Sequence, residues 1–273
     1  AVSLLFAMAG CHCSGKTDRE KDRDAIVVLV ESEMGTLDPR FASTSYEIKV
    51  SRLVFSGLTT ADTPDLSTDL LLASRIEQVD DEGLVWEATV REGARFHDGV
   101  PVGAGDVKYT FESVLDPGIG SRYRATYSYI DSVQVVDERT ARFTLREPNA
   151  SFLPDLTMPI LPRHVLEPAH GRFPEGEMIG SGPYVLERHA GGRVELRRAG
   201  DEGSGADRVV FMTVRDDNAR VLRMQGGGAD LAQNNIPVHL LGLFGRDGTR
   251  VVTTPSASFT YLGLNLESLP LDD

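Results

Sequence analysis

The sequence predicts a mixed α/β fold, an α+β arrangement carrying an inserted, mainly antiparallel subdomain. Three observations predict it. Ile26 to Val30 is a compact run of β-branched and aliphatic residues that reads as a buried strand. Leu84 to Arg91 alternates cleanly, with Leu84, Trp86, Ala88 and Val90 on one face and Glu87, Thr89 and Arg91 on the other. Strands and helical stripes then follow one another without a strict βαβ repeat.

In order along the chain, Gly35-Thr36-Leu37-Asp38-Pro39 breaks the first strand. Ser43 or Thr44 can cap a helix that turns Tyr46, Val50, Leu53 and Val54 inward and stops near Gly57. Residues 61–69 read as a polar loop. After the alternating strand, Glu92-Gly93 and Phe96-His97-Asp98-Gly99 are turns. Asp106 to Leu115 is helical, with Val107, Thr110, Phe111 and Val114 on one stripe, and Asp116-Pro117 ends it. Ser132 to Val136 and Ala141 to Arg146 form a hairpin across residues 137–140. A Gly/Pro-rich stretch from His170 to Pro183 marks a change of unit. Tyr184 to Arg188 and Arg193 to Arg197 pair around Ala190-Gly191-Gly192. Arg208 to Val214 is a strand, Asp216 or Asp217 caps a helix with Ala219, Leu222 and Arg223, and Thr260 to Leu266 is the last strand.

Composition bounds the function. The chain has 273 residues, 41% hydrophobic and 25% charged, which allows a core of useful size. A net charge of −13 repels phosphate backbones and argues against nucleic acid as a partner. The two cysteines, Cys11 and Cys13, precede any core, so no disulfide is expected inside the domain. Cys11-His12-Cys13 offers too few ligands, too closely spaced, for a metal site.

No catalytic set is legible. His97 beside Asp98 invites a general-base reading, but no nucleophile or oxyanion motif accompanies it, and a structural role in the turn is favoured. The six histidines form no H-x-x-x-H or HExxH pair. The glycines at 191–192 and 226–228 lack the Lys-Ser/Thr of a phosphate loop, and no GxSxG elbow occurs. Asp38 is read as a turn former rather than a ligand contact. The expectation is therefore no enzyme, no metal and no cofactor.

The first eleven residues, AVSLLFAMAGC, are a short apolar run ending in small residues, too short to span a bilayer. Ala9-Gly10-Cys11 resembles the lipobox of bacterial lipoproteins, although Met8 stands where Leu is usual. The alternative is a buried apolar strand. The polar stretch HCSGKTDREKDRD at 12–24 counts against that and suits a solvated tether. The resemblance implies lipidation at Cys11 and an extracytoplasmic, membrane-anchored protein.

An ordered series of blocks resembles the peptide/nickel-type extracellular solute-binding proteins of ABC importers. It comprises Thr36-Leu37-Asp38-Pro39; Leu53 to Leu58; Trp86 to Arg91 followed by Gly93-Ala94-Arg95-Phe96-His97-Asp98-Gly99-Val100-Pro101; Asp106-Val107-Lys108-Tyr109; Ile160-Leu161-Pro162 with His164; Gly180-Ser181-Gly182-Pro183-Tyr184; Asp230-Leu231-Ala232; and Tyr261 to Asn265. Two departures stand out: Gly103-Ala104-Gly105 replaces the usual capped, acidic helix start, and Gly226-Gly227-Gly228 replaces one Gly and an acid. Both are expected to weaken local helix ends.

The resemblance implies lobe one of a two-lobed clamshell with the second lobe missing, and hence an N-terminal fragment. It implies a signal-peptide remnant (1–11), a disordered tether (12–24), a discontinuous lobe-one body (25–58 and 177–266), an inserted subdomain (59–176) and the start of a hinge crossing (267–273). It implies capture of peptides or another small solute for delivery to permease subunits, by a monomer. Contacts in such a clamshell come from loops facing the cleft, so Met34, Gly35 and Thr36 are the candidate ligand residues, where backbone could pair with an extended ligand. The carboxylate that grips a peptide's amino terminus would belong to lobe two. The alternative reading is an envelope lipoprotein with a structural or other non-transport role.

Overall fold

The computed structural model describes residues 22, 24–61, 67–174, 176–200, 205–245 and 248–253. Cys11, the expected site of lipidation, and the strand expected at Thr260 to Leu266 lie outside them.

A five-stranded sheet forms the body. Strand β1 (Ala25–Val30) lies between β10 (Arg208–Thr213) and β11 (Leu231–Ala232), parallel to both. The antiparallel hairpin β8 (Tyr184–Ala190) and β9 (Arg193–Arg198) continues it, giving the order β11-β1-β10-β9-β8. Because β1 is central it is covered on both faces, and a continuous apolar run is what such a strand needs. Val28 and Val30 face helix α1 (Ser45–Val54), together with Val209 and Phe211 of β10. Ala25, Val27 and Leu29 face the other way, with Val210, Met212 and Ala229. Ile26 departs from the expected burial and is 42% exposed.

Between β1 and β8 the chain builds a second unit. Its sheet has the order β4-β5-β7-β6, all antiparallel: β4 (Ala73–Gln78), β5 (Val85–Val90), β6 (Ile130–Val135) and β7 (Thr140–Leu145). Helix α2 (Ala104–Leu115) packs Val107, Phe111 and Val114 onto it, and Phe111 and Phe143 meet edge to face at 5.1 Å. A two-stranded ladder, β2 (Thr59–Thr60) with β3 (Asp69–Leu70), and the short helices α3 (Phe152–Asp155) and α4 (Arg163–Leu166) close the unit. The mixed α/β class with an antiparallel insertion is thus observed. Strand β4 had no sequence signal because only Ala73 of its six residues is buried. Part of the expected 61–69 loop is strand β3.

Several local expectations need correction. The tether expected to run to residue 24 meets the fold sooner: Asp22 is buried and its carboxylate receives Arg193 Nη2 at 2.7 and 2.9 Å. Gly103 does not leave α2 uncapped. Asp106 Oδ2 accepts the Gly103 amide at 2.9 Å, and Oδ1 accepts that of Arg163 at 3.0 Å, so one carboxylate caps α2 and α4 together. A Cβ on Gly103 would stand 2.8 Å from Glu138 O, which explains the glycine. The glycines after α5 (Asp217–Gln225) end that helix rather than weaken it. Gly227 takes φ +67°, its amide reaches Met224 O at 3.1 Å, and the Gly228 amide reaches Arg223 O at 2.8 Å, which is a Schellman termination. Among the described residues no helix is long and apolar enough to cross a membrane.

Candidate functional site

Three parallel strands, β10, β1 and β11, end on the same side of the body sheet. Ligands of open α/β sheets bind outside such carboxyl ends, because the loops there converge while the strands hold them rigid. The segments that follow are 31–37 after β1, 214–216 after β10 and 233–237 after β11.

Glu47, on the first turn of α1, organises the segment after β1. Thr44 caps the helix and its Oγ1 accepts the Glu47 amide at 3.2 Å, while Glu47 returns a carboxylate oxygen to the Thr44 amide at 3.0 Å. The same carboxylate also accepts the amides of Ser43 at 2.9 Å, Gly35 at 2.8 Å and Thr36 at 3.4 Å. Burial alone would raise its pKa, but these backbone donors outweigh burial and pull it down to about 2. Glu47 is therefore an anion seated in a cup of backbone N–H groups, and the cup spans a loop and a helix.

This decides what Met34, Gly35 and Thr36 can present. Met34 is buried and its carbonyl accepts His189 Nε2 at 2.9 Å. The Gly35 and Thr36 amides are taken by Glu47, and Thr36 Oγ1 accepts the Asp38 amide at 3.1 Å. Gly35 is exposed, and among the described residues the carbonyls of Gly35 and Thr36 receive no hydrogen bond. The loop thus offers acceptors from a rigid frame, with few donors left.

The segment after β11 is held from below. Tyr46 Oη donates to Gln233 O at 2.6 Å, and Asn235 Nδ2 donates to Tyr46 Oη at 3.2 Å and to Leu29 O at 2.7 Å. Burial, with the Glu31 charge adding to it, pushes the Tyr46 hydroxyl up to about 12, so it stays a neutral donor. Arg220 is buried on α5, with Nε and Nη2 on Asn235 O at 2.9 and 2.7 Å and Nη1 on Val214 O at 2.7 Å. It ties the ends of β10 and β11 together, and Asp217 neutralises it. Around the rim, Arg215 pairs with Glu33 at 3.0 Å, and Lys49 Nζ reaches Gln233 Oε1 at 2.8 Å over the Tyr46 ring. A groove of about 970 Å³ runs along the β11 side, bordered by Asp230, Leu231, Asn234, Ile236 and Phe244. That size suits a small ligand, whereas the hollow of about 80 Å³ between α1 and the insertion does not.

The sequence singled out Met34, Gly35 and Thr36 but not Tyr46, Glu47, Lys49, Arg220, Gln233 and Asn235, which frame the strand ends beside them. The one available signal was Thr44-x-x-Glu47, the spacing of a capping box. Asp38 does form a turn, accepting the Arg40 amide at 3.0 Å, and it pairs with the buried Arg40 guanidinium at 2.6 Å.

The His97 ring is engaged entirely by backbone: Nε2 donates to Gly182 O at 3.0 Å and Nδ1 accepts the Gly180 amide at 3.3 Å. Neither nitrogen is free for proton transfer to a substrate. Asp98 pairs instead with His164, at 2.7 Å.

Residues 68–273 match the profile of the bacterial extracellular solute-binding proteins, family 5, middle region. The chain is 32% identical over 281 residues to Protein XP55 of Streptomyces lividans, covering 98% of this chain and 50% of that one. It is 29% identical to the glutathione-binding protein GsiB of Salmonella typhi, covering 91% and 49%. The crystal structure of NikZ from Campylobacter jejuni in complex with Ni(L-His) superposes with a TM-score of 0.74 at 28% identity, covering 82% and 46%. The chain spans about half the length of these relatives.

Proposed function

This chain belongs to the bacterial extracellular solute-binding proteins of family 5, and from that premise we propose that it is part of the extracytoplasmic receptor of an ABC importer, which captures peptides or another small solute and delivers them to the permease subunits. It acts by binding, with no catalytic step. The observation that carries this reading is the strand-end loop 34–36, in which the Gly35 and Thr36 amides are occupied by Glu47 while, among the described residues, the carbonyls of Gly35 and Thr36 receive no hydrogen bond. Fixed backbone acceptors suit the N–H groups of an extended peptide and lose little entropy on binding, because the loop is already ordered. The exposed carboxylate of Glu31 beside it favours a ligand with a cationic or N–H-rich end. The names of GsiB and NikZ, which speak of glutathione and of Ni(L-His), place small peptides and amino-acid chelates among the ligands to try first.

In this reading residues 25–58 and 177–266 form a lobe-one body, 59–176 an insertion, and the ligand is enclosed against a second lobe. The five-stranded sheet, built from β1 together with strands beyond residue 183, supports that division. Cys11 carries the lipid anchor. Metabolic labelling with a palmitate analogue should mark the wild type and not Cys11→Ser, and equal labelling of both would remove the anchor from the proposal. Ligand capture is tested by calorimetry on the protein expressed from its native gene, titrated with di- to pentapeptides, glutathione and Ni(L-His). Saturable binding of at least one class is expected. No heat with any of them would sink the reading.

A further inference from the structure

The chain crosses between body and insertion twice, at 55–58 and at 177–183, and His97 sits against the second crossing where it meets the first. The Gly180-Ser181-Gly182 turn is pressed onto the end of α1. The Gly182 amide donates to Val54 O at 2.9 Å, and Ser56 Oγ donates to Ser181 O at 3.2 Å. The approach is so close that a Cβ on Gly180 would stand 2.0 Å from Val54 O. From the insertion, the His97 amide donates to Gly180 O at 2.8 Å, while the ring spans the turn from the Gly180 amide to Gly182 O. A carbonyl can only accept and an amide N–H can only donate. The ring is thus held neutral, with its proton on Nε2.

We propose that His97 is a proton-operated latch, which fastens the insertion to the body at the joint of the two crossings and lets go on acidification. A proton on Nδ1 would face the Gly180 N–H, so the protonated ring cannot keep both bonds. Burial pushes the imidazole below its ordinary value of 6.5. The charged groups acting on it are Asp98, which favours the protonated ring, and Arg197 of β9, which opposes it. Both are already engaged, Asp98 with His164 at 2.7 Å and Arg197 with Glu187 at 3.0 Å. A group whose folded pKa is depressed stabilises the closed form fully above its unfolded value. That contribution is lost as pH falls through the folded value. Once the latch is open, the bond from the Ile160 amide to Ser56 O at 2.8 Å and the Gly57–Pro159 bridge still hold the first crossing. The joint then becomes a pivot and the insertion stays attached.

Nitrogen-15 spectra of the imidazoles, with amide hydrogen exchange from neutral to acid pH, test this on the wild-type chain. The Nε2–H tautomer is expected for His97. Between its folded and unfolded pKa values, opening should rise by about tenfold per pH unit. The His97, Gly180 and Gly182 amides should therefore lose protection relative to those of β7, after correction for intrinsic exchange. His97→Gln, which can donate and accept but does not titrate, should abolish the pH dependence. His164→Gln should leave it in place. An Nδ1–H tautomer, protection that tracks β7 at every pH, or a dependence that disappears with His164 would each overturn the latch. The wild-type measurement stands even where a variant fails to fold.

Discussion

The carboxylate of Glu47, in the first turn of α1, accepts the amide of Gly35 at 2.8 Å, twelve residues earlier in the loop that leaves β1. A helix cap and the loop after β1 are therefore one electrostatic unit. Glu47→Ala removes half of a capping box and the acceptor of four part-buried backbone N–H groups, which together should cost about 1–3 kcal/mol. Urea unfolding checks the size.

The same carboxylate makes stability acid-sensitive. Its folded pKa is about 2, against 4.5 for a free glutamate. Its contribution is therefore complete above about pH 4.5 and is lost as pH falls towards about 2. In Glu47→Gln this acid limb should flatten, and a urea midpoint that falls equally in both proteins would assign the limb to other carboxylates.

Gly182 tolerates no side chain. A Cβ there would stand 2.5 Å from Leu53 O and 2.8 Å from Phe55 N, both backbone atoms that cannot step aside. Gly182→Ala should cost about 3 kcal/mol or more, at the upper end of overpacking effects. Gly200 is the matched control: a Cβ there would meet nothing within 4 Å among the described residues, so Gly200→Ala should be close to neutral. Similar melting temperatures for the two variants would refute the close packing at the joint.

Trp86 packs tilted against Phe152 with ring centroids 5.2 Å apart, and its Nε1 donates to Gly83 O at 3.2 Å. The ring is half-buried, so Trp86→Ala should cost about 2 kcal/mol, less than the ~3–5 of a fully buried site. As the only tryptophan in the chain, it also reports unfolding of the insertion by fluorescence. An unchanged urea midpoint in the variant would contradict the packing.

The sequence by itself determined several of the elements and some of their ends. Periodicity of two set β5, a helical stripe set α2, an apolar run set β1, and two pairs of capping candidates, Ser43 or Thr44 and Asp216 or Asp217, announced the helices that the structure starts at Thr44 and Asp216. These signals are local, carried by neighbours within one or two turns of the chain. Only the tertiary structure decided that Val27 lies beside Val210 on one side and that Val28 lies beside Leu231 on the other. Strand partners some two hundred residues apart are selected by the burial of both faces of β1 at once, which no local pattern encodes. The site depends on the same long-range choice. Glu47 carries only the local spacing of a capping box until Gly35 is folded over it. Gly180 and Gly182 read as turn formers, whereas they are glycines because the backbone of α1 leaves no room for a Cβ. The residues that frame the strand ends, Tyr46, Arg220 and Asn235, gain their roles only when β1, β10 and β11 stop side by side.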